Sequence, residues 1–164
     1  MNSMQFRFLN LFLASIIFFG ITSCDPDKPT PAPQKTPEQI ATEALASSGT
    51  QTWGVAGGGS VTRDGRTVTD TYSAFELVVN AGTAKTYSTK NNNDLFDANG
   101  NWSFAGTNFD KIQLTGAKPA AGREISFTQN GNTLRLDFSV PAPGARINGI
   151  QAVAGTYSFV LQKK

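Results

Sequence analysis

The chain of 164 residues has no histidine and a single cysteine. Without imidazole there is no serine–histidine triad, no histidine general base and no imidazole zinc site. One thiol makes no intramolecular disulfide. Charge of one sign is lacking as well, with 14 basic against 12 acidic residues. Removal of an N-terminal segment carrying Arg7 leaves 13 against 12, which gives no electrostatic case for a nucleic-acid partner. The glycines show neither a GxGxxG nor a Walker spacing, so no nucleotide cradle is expected. No cofactor is implied. Long apolar runs are almost absent too. The one such run covers residues 11–21 and is shorter than the roughly 20 residues that cross a bilayer as a helix.

That apolar run is what the N-terminus does have. It follows residues 1–10, whose one charge is Arg7, and it ends on Ile21, Thr22, Ser23 and Cys24. The pattern is similar to the bacterial lipobox: an aliphatic residue, two small residues, then the cysteine that becomes the mature N-terminus. The resemblance implies a signal peptide over 1–23 and a lipid anchor on Cys24, the only thiol of the chain. Several acyl chains give durable attachment, since each buried methylene contributes about 0.8 kcal/mol. Pro26, Pro29, Pro31 and Pro33 then make residues 24–36 an extended tether, reaching about 35 Å at polyproline pitch. Asp25 and Asp27 resemble the acidic signal that directs some Bacteroidota lipoproteins to the outer leaflet. The expected location is the outer membrane, on its periplasmic face or on the cell surface.

Thr36, Pro37 and Gln39 form the sequence of a capping box and open a short helix over 37–49, with Ile40, Ala44 and Leu45 as its apolar face and Gly49 as its stop. From Trp53 onward the apolar period changes to two. Phe75, Leu77 and Val79 alternate with polar or small neighbours. So do Trp102 and Phe104, Ile112 and Leu114, Ile125 and Phe127, Leu134 through Val140, and Tyr157 through Leu161. Asp64-Gly65, Asn99-Gly100 and Asn130-Gly131 read as two-residue hairpin turns. The expectation is one all-β domain over 50–164, an antiparallel meander of about eight strands closed as a small barrel or sandwich.

This layout resembles the small lipocalin-like domains of Bacteroidota lipoproteins. The likeness covers Thr52 to Lys164 and rests on four places. These are Thr52-Trp53-Gly54-Val55, the strand–turn–strand at Asp64-Gly65, the run from Asn99 to Gly106, and the ending from Gly155 to Leu161. It implies a barrel-like fold and no particular activity.

Candidate sites follow from residue chemistry. Trp53, Tyr72, Tyr87 and Trp102 are the aromatic candidates for a ligand, an apolar molecule or a glycan. Arg146 and Asn148 are the polar tips of the long connection after Pro141. A ligand-carrying interior predicts a cavity flanked by Trp53, Phe104 and Tyr157. An envelope protein–protein module predicts instead an exposed apolar patch around 141–154 or 87–97. A hydrolase would need two converging acids among Asp70, Glu76, Asp110, Glu124 and Asp137. Asp94, Asp97, Asn99 and Asn101 are oxygen donors suited to calcium, although the bidentate glutamate of a full calcium loop is missing. Gly57, Gly58 and Gly59 suggest a bulge, a flexible hairpin or a close backbone approach. The reading favoured overall is a membrane-anchored, non-enzymatic binding domain.

Overall fold

The computed structural model describes residues 33–142 and 153–164. Helix α1 spans Pro37–Ala46, and its start is the one the sequence dictates. The Thr36 hydroxyl accepts from the Gln39 N–H, and the Gln39 side chain accepts from the Thr36 N–H. The helix stops three residues before the expected Gly49. Ser47 takes a left-handed φ of 51° and donates its N–H to the Glu43 carbonyl at 2.8 Å. The buried face is Leu45 and Ala46, whereas Ile40 stands 57% exposed, so the expected apolar face is corrected by part of a turn.

Ten strands follow: β1 (Thr50–Gly54), β2 (Ser60–Arg63), β3 (Arg66–Thr67), β4 (Glu76–Ala81), β5 (Lys85–Lys90), β6 (Asn99–Phe104), β7 (Lys111–Leu114), β8 (Ile125–Asn130), β9 (Thr133–Val140) and β10 (Gly155–Lys163). Eight of them form a closed antiparallel barrel in the order β1-β4-β5-β6-β7-β8-β9-β10, with β10 returning to β1 through Trp53 opposite Lys163 and Gly54 opposite Gln162. Closure follows from the alternation. A sheet with one apolar face must bury it, and a ring does so without leaving an edge. The apolar set points inward, and outward positions such as Thr86, Ser88, Asn101, Ser103, Thr128 and Thr156 are polar. That wall is the reverse of the apolar belt on a membrane-spanning barrel. Among the described residues no helix is long and apolar enough to cross a membrane.

The remaining pair, β2 and β3, explains the glycine run. β2 takes over from β1 along β10, from Val160 opposite Ser60 to Tyr157 opposite Arg63. Between Val160 and Gln162 β10 advances two residues, while the facing chain uses six, from Ser60 back to Gly54. Four residues are therefore looped out. The Gly59 N–H closes this loop on the Val55 carbonyl at 2.8 Å, and a Cβ on Gly59 would lie 2.5 Å from the Val160 carbonyl oxygen. Bulge and close approach coincide here. β2 then turns at Asp64-Gly65, as expected, with both residues at positive φ, and returns as β3.

Two of the expected turns lie elsewhere. The β8–β9 turn is Gly131-Asn132, one residue later than the Asn130-Gly131 reading, with Asn130 paired to Thr133. Asn99-Gly100 is not a turn at all but the start of β6. Gly100 sits opposite Tyr87, and a Cβ there would come within 2.7 Å of both the Tyr87 ring and the Thr115 carbonyl. The chain reverses earlier, over residues 91–98, where Asn91, Asn93 and Asp94 adopt left-handed φ angles of 51°, 47° and 59°. Asparagine and aspartate tolerate that conformation best among residues with a side chain.

The loop over 91–98 also completes the core. It turns Leu95 and Phe96 into the barrel, both fully buried. Phe96 packs against Phe75, Phe138 and Phe159 with ring centroids 5.3, 5.5 and 5.6 Å apart. The middle of the barrel is thus filled by aromatic side chains.

Candidate functional site

The two ends of the barrel differ. At the first, α1 lies against β1 and β4, and the Trp53 indole N–H donates to the Leu45 carbonyl at 2.8 Å. The Trp102 indole donates to the Asn80 carbonyl at 2.9 Å. The Lys85 ammonium lies 5.3 Å from the Trp102 ring and 4.7 Å from that of Phe104, and it bonds Glu38 of α1 at 2.7 Å. Both tryptophans are buried, with their polar atoms satisfied. Tyr87 is buried in the wall, its hydroxyl donating to the Thr115 carbonyl at 2.7 Å. Burial first, and the charge of Asp97 second, push its pKa up to about 12.

Of the aromatic candidates read from the sequence, Tyr72 and Tyr157 line a crevice. Tyr72 ends a short 3-10 turn, Thr69–Tyr72, at the end of the barrel remote from α1. The turn is fixed to β2 by its own polar groups: the Val61 N–H donates to the Thr69 hydroxyl at 3.0 Å, and the Val68 N–H donates to the Val61 carbonyl at 2.9 Å. Beside it a crevice of about 350 Å³ is lined by Arg63, Val68, Thr71, Tyr72, Asn93, Val153 and Tyr157. A second concavity of about 500 Å³, lined by Arg63, Asp64, Arg66 and Val68, shares two of these residues. Together they form the mouth of the barrel.

Each wall has an identifiable support. The Arg63 guanidinium donates to the Ala154 carbonyl at 2.9 and 2.6 Å and lies 5.8 Å from the Tyr157 ring centroid. The other face of Tyr157 stacks on Phe138 at 5.4 Å, and its hydroxyl donates to the Val153 carbonyl at 2.9 Å. The Asn93 amide donates to the Thr71 carbonyl, tying the 91–98 loop to the 3-10 turn. Burial raises the Tyr72 pKa to about 12, with the neighbouring Tyr157 phenol adding to the shift and Arg63 opposing it. Tyr157 is raised as well, mainly by burial. Both phenols are neutral near pH 7.

Trp53 and Tyr157 face opposite ends, because Trp53 pairs with Lys163, six residues beyond Tyr157 on β10. At strand pitch that separation is about 20 Å, and the phenylalanine cluster fills the space between. The expected cavity between Trp53, Phe104 and Tyr157 is corrected to a mouth crevice. Arg146 and Asn148 lie outside the described residues, as does Cys24. Tyr157 was expected to flank an interior cavity and lines the mouth instead, whereas Arg63 and Asn93 were not singled out as ligand contacts from the sequence. Arg63 beside the Asp64-Gly65 turn was a visible signal that its side chain sits at a barrel rim.

Of the oxygen donors over 94–101, the two aspartates are engaged by the fold. Asp97 accepts from the N–H groups of Ala117 and Lys118 at 2.9–3.0 Å, and Asp94 pairs with the Lys118 ammonium at 2.7 Å. Asn99 and Asn101 are in β6, and no group of three acids, cysteines or histidines suited to a metal occurs among the described residues. The acid candidates are scattered. Glu76 pairs with Lys90 and Lys164, Glu124 with Lys111, and Asp137 with Arg135. Of the described residues lining the mouth, Asp64 is the one carboxylate. No family model, no curated protein and no solved structure matches the chain.

Proposed function

We propose that this protein is a lipid-anchored lipoprotein of the cell envelope whose barrel binds a small ligand at its mouth, without catalysis. The observation that carries the reading is the mouth crevice, where Arg63, Tyr72, Asn93 and Tyr157 converge from four separate segments around about 350 Å³. Volumes of this order suit a single small molecule. The filled core argues against an apolar ligand inside the barrel and leaves a polar ligand, such as a glycan unit, at the rim. The absence of a second lining acid among the described residues supports binding over hydrolysis. The lipobox at Cys24 and the tether supply the anchor, with membrane lipid as the first partner.

An envelope protein–protein module has less support. Within 87–97 the large apolar side chains, Tyr87, Leu95 and Phe96, are all buried, and of the other expected patch, 141–154, residues 143–152 lie outside the described residues. The test is a thermal-shift screen of full-length protein in detergent against a panel of saccharides and small metabolites. The expected result is a compound that raises Tm and loses at least fivefold in apparent affinity with Tyr72→Phe or Asn93→Ala. Protection indifferent to both variants, or no protection by any compound, overturns the mouth as a binding site.

A further inference from the structure

Asparagine stands before glycine at Asn99, Asn130 and Asn148, the last outside the described residues. Such a pair can react with itself. The glycine amide nitrogen attacks the asparagine Cγ, and the new C–N bond closes a five-membered succinimide. The side-chain nitrogen leaves as ammonia, taking the amide proton with it. Water then opens the ring at either carbonyl, giving an aspartyl linkage or an isoaspartyl one whose main chain is longer by a methylene. Water is the co-reactant, and the rate depends on how freely nitrogen and Cγ can meet.

The fold separates the two described pairs on that criterion. Gly100 lies within the barrel wall opposite Tyr87, where an added Cβ would come within 2.7 Å of the Tyr87 ring and the Thr115 carbonyl. Just beyond it, the Asn101 N–H is held by the Thr115 hydroxyl at 2.8 Å. Turning the Gly100 nitrogen toward the Asn99 side chain therefore means opening the sheet between β5 and β6.

Asn130 and Gly131 escape those restraints. Both are exposed at the tip of the β8–β9 hairpin. Among the described residues, neither the Asn130 side chain nor the Gly131 N–H has a hydrogen-bond partner. A Cβ built on Gly131 meets nothing within 4 Å, so the space around this residue is open. The Gln129 amide holds the Gly131 carbonyl, on the far side of the residue from the reacting nitrogen. The Asn130–Thr133 pair is the last rung of the ladder, and such ends open locally at small cost. We propose that Asn130 is a self-modification site, where the folded protein turns an amide into an acid and inserts an isoaspartyl link into the hairpin.

The tip is joined to the closure of the ring. The Asn132 carbonyl accepts from the Lys163 N–H at 2.8 Å, and Lys163 is the residue that meets Trp53 across the seam. A longer main chain just before that carbonyl displaces it, so the modification loosens the seam.

The experiment ages full-length protein in detergent, folded or in urea, in mildly alkaline buffer, and follows each asparagine by mass spectrometry of tryptic peptides. Cleavage after Lys90, Lys111, Arg123, Arg135 and Arg146 places Asn99, Asn130 and Asn148 in separate peptides. In folded protein Asn130 is expected to convert about tenfold faster than Asn99, with chromatographically distinct aspartyl and isoaspartyl products. In urea the two rates should converge. Asn130→Gln, which must close a slower six-membered ring, should remove the conversion and leave the circular dichroism spectrum unchanged. Equal rates at the two sites in folded protein, or a product at Asn130 that forms only in urea, overturn the proposal. The converted protein is expected to show a lower urea midpoint, whereas fresh Asn130→Asp, which has the charge without the extra methylene, keeps the original one. An unchanged midpoint after conversion overturns the link to the seam.

Discussion

Gly100 carries out its role by having no side chain. Its position opposite Tyr87 leaves the phenol room to cross the strand and donate to the Thr115 carbonyl. Gly100→Ala places a Cβ within 2.7 Å of both groups, so Tyr87 must move and its hydrogen bond is lost. The expected cost is about 1–3 kcal/mol, the range for overpacking a tight site, read as a lower urea midpoint. Tyr72 and Tyr87 give the chain a stability limit at high pH. Their pKa values are raised from 10 to about 12, so the folded state holds their protons more tightly than the unfolded state does. That contribution is fully present below pH 10 and is lost as pH rises through 12. Denaturation curves between pH 8 and 12 should show stability flat at first and then falling. Tyr87→Phe should shallow the fall.

At the scale of elements, the 91–98 loop contributes as much to the core as a strand does. Phe96→Ala removes a ring that touches three others and should cost about 3–5 kcal/mol, measured by chemical denaturation. The sequence conceals this loop, because Leu95 and Phe96 are two apolar residues in a polar stretch with no period to align them. The strands were legible for the opposite reason. Leu134, Leu136, Phe138 and Val140 repeat every second residue, and all point inward. The helix start was legible because capping is local chemistry among Thr36, Pro37 and Gln39. Asn99-Gly100 misled because an asparagine–glycine pair signals either a hairpin or a gap beneath a neighbouring ring, and only the partner strand distinguishes them. The mouth was legible only at Tyr72 and Tyr157. Its other walls, Arg63 and Asn93, come from distant segments whose meeting depends on the barrel's register.

For the molecule as a whole, the proposed anchor and the mouth are separable. Cys24→Ala should abolish acyl labelling and release the protein from membranes, with no change in the denaturation midpoint of the barrel. Protein that stays labelled and membrane-bound after that substitution would remove the lipid anchor from the picture. The ring has one further consequence, for the order in which the chain becomes a fold. Its seam joins Trp53 to Lys163, so the first strand of the barrel waits for β10 before its free edge is covered. If the N-terminus leads through the export channel, most of the barrel has passed before the seam can form. Contacts so far apart in sequence also form slowly. Whatever route the chain takes, the ring stays open until β10 is available to meet β1.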